Sequence, residues 1–525
     1  MFFAPVLLAM SSLLDPQPVS IRVEVFAADR PVEGATVTVA GMPHVTSAEG
    51  VVVTTVSSGT VRIEVRHDGY LTVTKDVAVT TAEQRVVVTL APEPIHEEEI
   101  TVSATRTDKR LDDQPMRVEV LGREEIEEKM LMTPGDIVMM LNEMGGMRVQ
   151  STSPSLGAAS VRVQGMRGRY TRFLSDGLPI FGESPGGLGL LQIPPMDLGQ
   201  VEVIKGVASA LYGAGAMGGV IDLVSRRPGD EPQVEVLLNT STRGGRDGVL
   251  WYSTPLTPTW GLTFLAGGHG QNKTDVDDDG WADLPHYARG VFRPRVFWDD
   301  GKGRSFFGTV GLTTESREGG TTGEGAANET TLARVEALDT LRIDGGFVAR
   351  TLVAGRYVLT ARGAASGQSH DHQFGDVLER DRHNTLFGEA ALRGSAGRHT
   401  WVAGAAIEHH AYTARDVPRF DYNFTIPGVF LQDDMELTRW WSGSASARVD
   451  WHSEYGWFMS PRISSLMRGG GWTGRVSFGT GFFGPSTLSE NQNANSLSSQ
   501  PSLAGTSGCF LQFGESAGHF SRTWI

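Results

Sequence analysis

Val201-Glu202-Val203-Ile204-Lys205-Gly206 runs through Ala208-Ser209-Ala210-Leu211-Tyr212-Gly213 and Gly218-Gly219 to Val220-Ile221-Asp222-Leu223-Val224. The reading of this stretch decides the fold. An apolar, β-prone run is followed by a short helix-prone run, a glycine cluster and a second β-prone run. Gly213 to Gly218 matches G-x-G-x-x-G literally. A dinucleotide site needs that loop after a strand and before a helix. Here the helix-like Val207 to Tyr212 precedes the glycines and a strand follows, so the order is inverted. The glycines serve tight backbone turns, and nucleotide binding is rejected.

Working back from this stretch, Arg172-Phe173-Leu174 and Val161-Arg162-Val163 read as further strands divided by glycine turns. Leu121 to Gly146 holds an acidic amphipathic stretch, Arg123 to Met130, and a second helix opening at Thr133-Pro134. Thr133 suits an N-cap and Pro134 the first helical position. Together these elements predict a compact α+β unit over residues 111–230.

Forward of Arg227-Pro228 the chain changes character. Alternating segments recur at strand length, among them Val234 to Thr240, Gly261 to Leu265, Val291 to Trp298, Arg356 to Ala361, Thr400 to Ile407 and Ser442 to Val449. Trp298, Trp401, Trp440, Trp441, Trp451, Trp457 and Trp472 sit near their ends. That is the pattern of an outer-membrane barrel with aromatic girdles, expected over residues 231–488. A soluble aromatic-rich sandwich is the rival reading.

The motifs of the α+β unit resemble, in order, the plug domain of TonB-dependent receptors. The resemblance rests on Thr133 to Val149, on Arg162-Val163-Gln164-Gly165-Met166-Arg167, on Leu174-Ser175-Asp176-Gly177-Leu178-Pro179 and on the opening stretch. It implies signature positions at Arg162, Gly165, Asp176, Gly177, Glu202, Lys205, Gly206, Ser209, Tyr212, Gly213, Gly218 and Gly219. Residues 93–110 form an acidic, proline-bearing linker containing Ile100-Thr101-Val102-Ser103-Ala104, a β-prone segment between charged stretches. Such a segment can add as a strand to another protein's sheet. The resemblance makes it the TonB box, the strand gripped by an inner-membrane energy transducer.

Residues 19–92 alternate in short strands such as Ile21 to Val25, Val61 to Val65 and Val86 to Leu90, which predicts a small β-sandwich. Pro31 to Val37, Thr46 to Gly50 and Arg66-His67-Asp68-Gly69-Tyr70 resemble a carboxypeptidase regulatory-like domain, an accessory module without catalysis of its own. Residues 1–18 carry an apolar run of signal-peptide length, though the first basic residue is Arg22. The fold class expected is therefore mainly β: an N-terminal sandwich, an α+β plug and an incomplete antiparallel transmembrane barrel.

Bulk composition narrows the function classes. The 525 residues carry a net charge of -15, which argues against a nucleic-acid partner. A lone Cys509 excludes an internal disulfide framework and any Cys-based zinc site. The sequence holds no run of 18 apolar residues, so membrane insertion must be by strands. H-E-x-x-H and Walker motifs are absent, and nothing recommends an enzyme.

Asp275, Asp277, Asp279 and Asp283 stand at positions one, three, five and nine of a loop with Gly280 at six, the donor pattern of a structural Ca²⁺ site. The twelfth-position glutamate is missing, since residue 286 is His, so the loop is a calcium candidate and not an EF-hand. No other cofactor is expected. His370, His372, His383, His399, His409 and His410 cluster in sequence, but alternation puts His409 and His410 on opposite faces. A scatter of loop and rim histidines is favoured over a metal or haem site.

Large outer-membrane transporters close at 22 strands, and roughly 12 candidates follow Pro228. From Ser489 the alternation gives way to an Asn/Ser-rich run, so residues 489–525 are expected to be an aberrant tail, as a frameshift near Glu490 would produce. The expectation is a receptor for active uptake of a scarce ligand, with ferric siderophores and related metal chelates the commonest class the resemblance implies. Its location would be the outer membrane, with the N-terminal domain periplasmic. Cobalamin or oligosaccharide uptake, and a non-transporting sensor or binder, remain as alternatives.

Overall fold

The computed structural model describes residues 18–27, 30–67, 70, 72–79, 83–90, 101–107, 109–153, 155–181, 189, 191–322, 334–470, 472–486, 504–515 and 518–524, the last two stretches by backbone alone. Nearly all of the expected signal peptide, linker residues 93–100 and the Asn/Ser-rich run lie outside the described residues. The chain divides into two compact units, Met1–Glu98 and Glu99–Ile525.

The first unit is a two-sheet sandwich. Pro18–Ala27 pairs with Arg30–Pro31 and Val51–Ser57 and, in parallel, with Glu83–Thr89. The second sheet runs Met42–Val45, Thr36–Val39, Gly59–Arg66, Val73–Val79. Alternate residues face inward, so Ile21, Val23, Val25, Val37, Ile63 and Val65 are all withdrawn from water.

The second unit combines the plug and the barrel. The plug's main sheet has the order Val118–Leu121, Leu198–Lys205, Gly219–Ser225, Thr171–Ser175. A separate hairpin joins Met147–Ser153 to Ala158–Val163. Helix Arg123–Met130 forms where the acidic stretch predicts, burying Ile126 and Met130. The second helix does not open at Thr133-Pro134. It spans Val138–Glu143, and Asp136 Oδ1 accepts the Val138 amide at 2.9 Å. Gly135 and Asp136 form part of the turn that the sequence reading assigned to helix, and Asp136 supplies the side-chain acceptor expected of Thr133.

Around the plug, fifteen antiparallel strands among the described residues run in sequence order from Gln233–Thr240 to Gly518–Trp524. Leu386, Ile407, Val429, Leu431, Met459, Ile463 and Phe478 point outward and are exposed. Between them Thr385, Glu408, Gln432, Arg448 and Arg462 point inward and are buried. Apolar-out and polar-in alternation is the signature of a membrane barrel wall. At one end the connections 256–259, 300–304, 354–356, 397–398 and 437–440 are all short, whereas the other end carries the long ones, 272–285 and 321–334, beside short ones such as 375–376 and 453–455. Short turns mark the periplasmic side and long loops the outside. Trp260 faces Trp298 and Trp440 stacks on Trp441 at the short-turn end, and Trp451 stacks on Trp457 at the other.

Strands are described past the boundary expected at residue 488. Ala504–Glu515 pairs along Trp472–Phe483, and Gly518–Trp524 adds to it. Backbone bonding needs no strict polar–apolar alternation, which is why the side-chain pattern missed these strands. Among the described residues, Gln233–Thr240 pairs only with Arg246–Pro255, so this sheet is not closed.

Candidate functional site

The short strand Thr101–Val102 pairs antiparallel with Lys109–Arg110, folding residues 101–110 back on themselves. Val102 and Ala104 are buried in an apolar cluster with Leu174, Ile204, Leu211 and Val220. One plug carboxylate holds this segment. Glu202 accepts the Ser103 amide at 3.1 Å, the Ser103 hydroxyl at 2.9 Å and the Ala104 amide at 2.7 Å. Gln200 donates a fourth bond to it at 2.7 Å. Tyr212 donates its hydroxyl to the Ala104 carbonyl at 2.6 Å. Two signature positions, Glu202 and Tyr212, therefore grip three backbone groups of the candidate coupling segment, fixing its path independently of side-chain identity.

The next residues tie the segment to the barrel. Arg106 lies between the rings of Tyr212 and Phe430, 4.7 and 4.5 Å from their centroids, and donates to Glu389 at 2.5 Å. Arg393 donates to the Thr107 carbonyl at 2.8 Å. The plug makes further bonds to the wall, including Arg172 to Glu408 at 2.6 Å and Arg295 to Asp197 at 2.5 Å.

Glu202 stands directly opposite Asp222 on the neighbouring strand. Asp222 is 1% exposed and accepts the Gly177 amide at 3.0 Å. Burial, with the Glu202 charge next in weight, pushes the Asp222 carboxyl up to about 8. Burial also raises Glu202, against which its four donors work. Burial lifts the Tyr212 hydroxyl to about 12, so it remains a donor at neutral pH. The neighbouring Asp176 and Gly177 both take positive φ, 51° and 75°, and Asp176 Oδ1 accepts the Ser225 amide and hydroxyl.

Other signature residues shape the frame. Lys205 is buried and donates to Glu119 and to the Gly145 carbonyl, while burial lowers its affinity for its proton. Gly219 has φ 136°, and a Cβ there would meet the Ile204 carbonyl oxygen at 2.3 Å. Gly206 and Gly213 also take positive φ, and Ser209 opens the helix Ser209–Tyr212. That helix precedes the glycines, as the rejection of a nucleotide loop requires. Gly218 donates its amide to the Tyr170 carbonyl at 2.6 Å. Arg162 and Gly165 are not brought to the coupling segment: Arg162 is bonded to Gln150 and the Gly165 carbonyl in the separate hairpin region. Sequence reasoning missed Asp222, Arg106 and Glu389. Asp222 left a signal, a lone carboxylate inside Val220-Ile221-Asp222-Leu223-Val224, whose neighbours on both faces are buried.

At the outer end, carboxylate oxygens of Asp275, Asp277 and Asp283 lie within 4.8 Å of one another. Asp279 is outside that group and accepts the Trp281 amide at 2.8 Å instead. Asp275 also accepts the Thr322 hydroxyl at 3.0 Å, linking the two long loops. His409 and His410 diverge as alternation predicts: His409 reaches Thr425, and His410 stacks on His383 at 5.9 Å.

A plug filling a strand-walled lumen, with apolar residues on the outer face and aromatic girdles at both ends, defines a plugged β-barrel of the bacterial outer membrane. Residues 110–220 match the family model described as TonB-dependent Receptor Plug Domain. The plug thus belongs to the TonB-dependent receptors, and the chain carries their plug-and-barrel architecture. The Vitamin B12 transporter BtuB of Vibrio vulnificus (strain CMCP6) is 30% identical over 163 residues, 29% of this chain and 26% of that protein. The ferric enterobactin receptor PirA of Pseudomonas aeruginosa is 30% identical over 162 residues, 27% of this chain and 21% of that protein. The match thus spans about a quarter of these curated relatives. The solved siderophore receptor PirA from Pseudomonas aeruginosa superposes with TM-score 0.59 at 17% identity, covering 77% of this chain and 73% of that one. The ferric enterobactin receptor PfeA of the same species gives 0.60 at 16% identity, covering 74% and 64%. These relatives are named transporters and receptors, not enzymes.

Proposed function

We propose that this chain acts as a receptor for active uptake of a scarce ligand, most readily a ferric siderophore or related metal chelate. A TonB-type energy transducer of the inner membrane would engage residues 100–104 from the periplasm, with the barrel seated in outer-membrane lipid. The observation that carries this reading is the hold on Ser103 and Ala104 by Glu202, a residue of an interior plug strand. Tension on the segment would load this hold on the plug sheet first. Relatives named for ferric enterobactin and ferrioxamine support a metal chelate. Several relatives named Vitamin B12 transporter support cobalamin as the second reading. As a subsidiary proposal, Asp275, Asp277 and Asp283 offer hard oxygens to a Ca²⁺ ion that would tie the outer loops together.

The test is uptake of radiolabelled ferric enterobactin and of cobalamin by a receptor-deficient strain expressing this chain, with and without residues 100–104. Energy-dependent import that disappears with the deletion supports the reading. Import unchanged by the deletion sinks the coupling role, and import of neither compound sinks the ligand assignment.

A further inference from the structure

Two carboxylates lie side by side in the plug, and holding the coupling segment accounts for only one. Glu202 has four donors. Asp222 accepts one bond, from Gly177, and its Oδ2 has no hydrogen-bond partner among the described residues. The charged and titratable groups around Asp222 are Glu202 on the next strand, Asp176 beyond the parallel strand, Tyr212 on the short helix and Arg362 on the barrel wall. Arg362 bonds Glu389 at 3.4 Å, as does Arg106 at 2.5 Å, and Arg227 reaches Asp176 at 3.9 Å. No cation is bonded to Asp222 among the described residues. Side chains directly opposite on an antiparallel pair have Cβ atoms about 4.5–5.5 Å apart. Two negative charges at that distance, withdrawn from bulk water, repel strongly enough that the pair holds a proton.

A path for that proton is present. A cavity of about 760 Å³ has Ser103, Asp222 and Arg362 at its inner end. It reaches the exposed turn 256–259 and Ser305, on the short-turn, periplasmic side of the barrel. Asp222 Oδ2 and Arg362 Nε are both buried without partners among the described residues. A polar space of this size accommodates water that would satisfy them.

We propose that Glu202 and Asp222 hold one proton between them at neutral pH, and that freeing the coupling segment draws a further proton from periplasmic water through this cavity. The inference rests on the coupling role of Ser103 and Ala104. The resident proton sits on Asp222, because the four donors on Glu202 favour its charged form. Burial and the Glu202 charge act on Asp222 in the same direction. When the segment leaves, Glu202 loses the Ser103 amide, the Ser103 hydroxyl and the Ala104 amide together, yet still faces Asp222. Its neutral form is then favoured, and it takes up a proton. The released state binds more protons than the held state, so acid favours release and alkali favours the grip. Uptake of one proton limits the effect to about tenfold per pH unit. Asp222 is thus a positioning residue that acts on the segment through Glu202.

The test places a nitroxide at Thr101→Cys, in a Cys509→Ser background, on the full chain in outer-membrane vesicles. Spectra follow mobile and immobile fractions from about pH 5 to about pH 9. The mobile-to-immobile ratio is expected to rise as pH falls, by up to about tenfold per unit. Glu202→Gln should flatten the profile. Asp222→Asn should move it to lower pH, because Glu202 then faces an amide that donates to it. A flat wild-type profile, or a Glu202→Gln profile matching wild type, overturns the proposal. Should a variant fail to insert, the wild-type profile decides alone. Binding of a transducer's periplasmic domain to the same labelled chain, at one pH, checks the coupling role separately. Its absence would refute that role and leave the proton linkage standing on the spectra.

Discussion

Glu202 and Asp222 face each other across adjacent antiparallel plug strands, and of the two Glu202 alone is hydrogen-bonded to the candidate coupling segment. Asp222 titrates near 8 in the fold, against about 4 for an ordinary carboxylate. A folded-state value raised in this way means that the fold binds an extra proton between those limits. Plug stability therefore declines as pH rises from about 4 to about 8, and is level above. Asp222→Asn keeps an acceptor for the Gly177 amide and removes the titration. Hydrogen exchange at Val220 to Val224 should show the variant stabilised by roughly 1–3 kcal/mol near pH 8 and little changed near pH 4. Equal effects at both pH values would refute the assignment.

Arg106 and Glu389 form a pair whose side chains are 4% and 1% exposed, with the guanidinium between two rings. Removing one partner of such a pair leaves a buried charge uncompensated, at roughly 3–5 kcal/mol. Arg106→Ala should speed amide exchange in residues 102–107 by at least about a hundredfold, since each 1.4 kcal/mol is tenfold. Glu389→Gln, which retains an acceptor, should fall between it and wild type. Exchange unaltered in Arg106→Ala would show that the barrel does not restrain the segment.

Gly219 cannot carry a side chain without displacing the Ile204 carbonyl. Gly219→Ala combines that clash with an unfavourable φ of 136° and should destabilise the plug by roughly 2–4 kcal/mol. Limited proteolysis from the periplasmic side should cut the variant's plug while sparing barrel strands. A wild-type digestion pattern would contradict the packing described.

Trp281 sits within the acidic outer loop, so Tb³⁺ bound by Asp275, Asp277 and Asp283 should luminesce on tryptophan excitation. Competition by Ca²⁺ is expected at about 10⁻⁴–10⁻³ M, the range of extracellular sites. Asp275→Asn should abolish the signal. Luminescence insensitive to that change would remove the loop from consideration as a cation site.

Much of the architecture was legible because its signals are local. The glycines of Gly213 to Gly219 and the β-prone runs around them predicted the turn order, and Trp451 and Trp457 marked a membrane boundary at the end of a hairpin. The helix start failed because Thr133-Pro134 and Asp136 both offer acceptable beginnings, and packing decides between them. Arg106 and Glu389 are separated by 283 positions, and no sequence pattern announces such a pair. The acidic loop was read with four donors, and Asp279 lies outside the group of three because it holds the Trp281 amide instead.

The order of the plug sheet carries a mechanical consequence. The Glu202 strand is interior, with seven register pairs to Gly219–Ser225 on one side and four to Val118–Leu121 on the other. A tug arriving through Ser103 and Ala104 loads three bonds to the Glu202 carboxylate and one from the Tyr212 hydroxyl before it reaches that sheet. Links loaded in series fail at the weakest, so those four bonds, sharing the load, together act as a fuse: they give way before the sheet shears. Force along this line would unbutton the segment first and disturb the plug only once the fuse has blown.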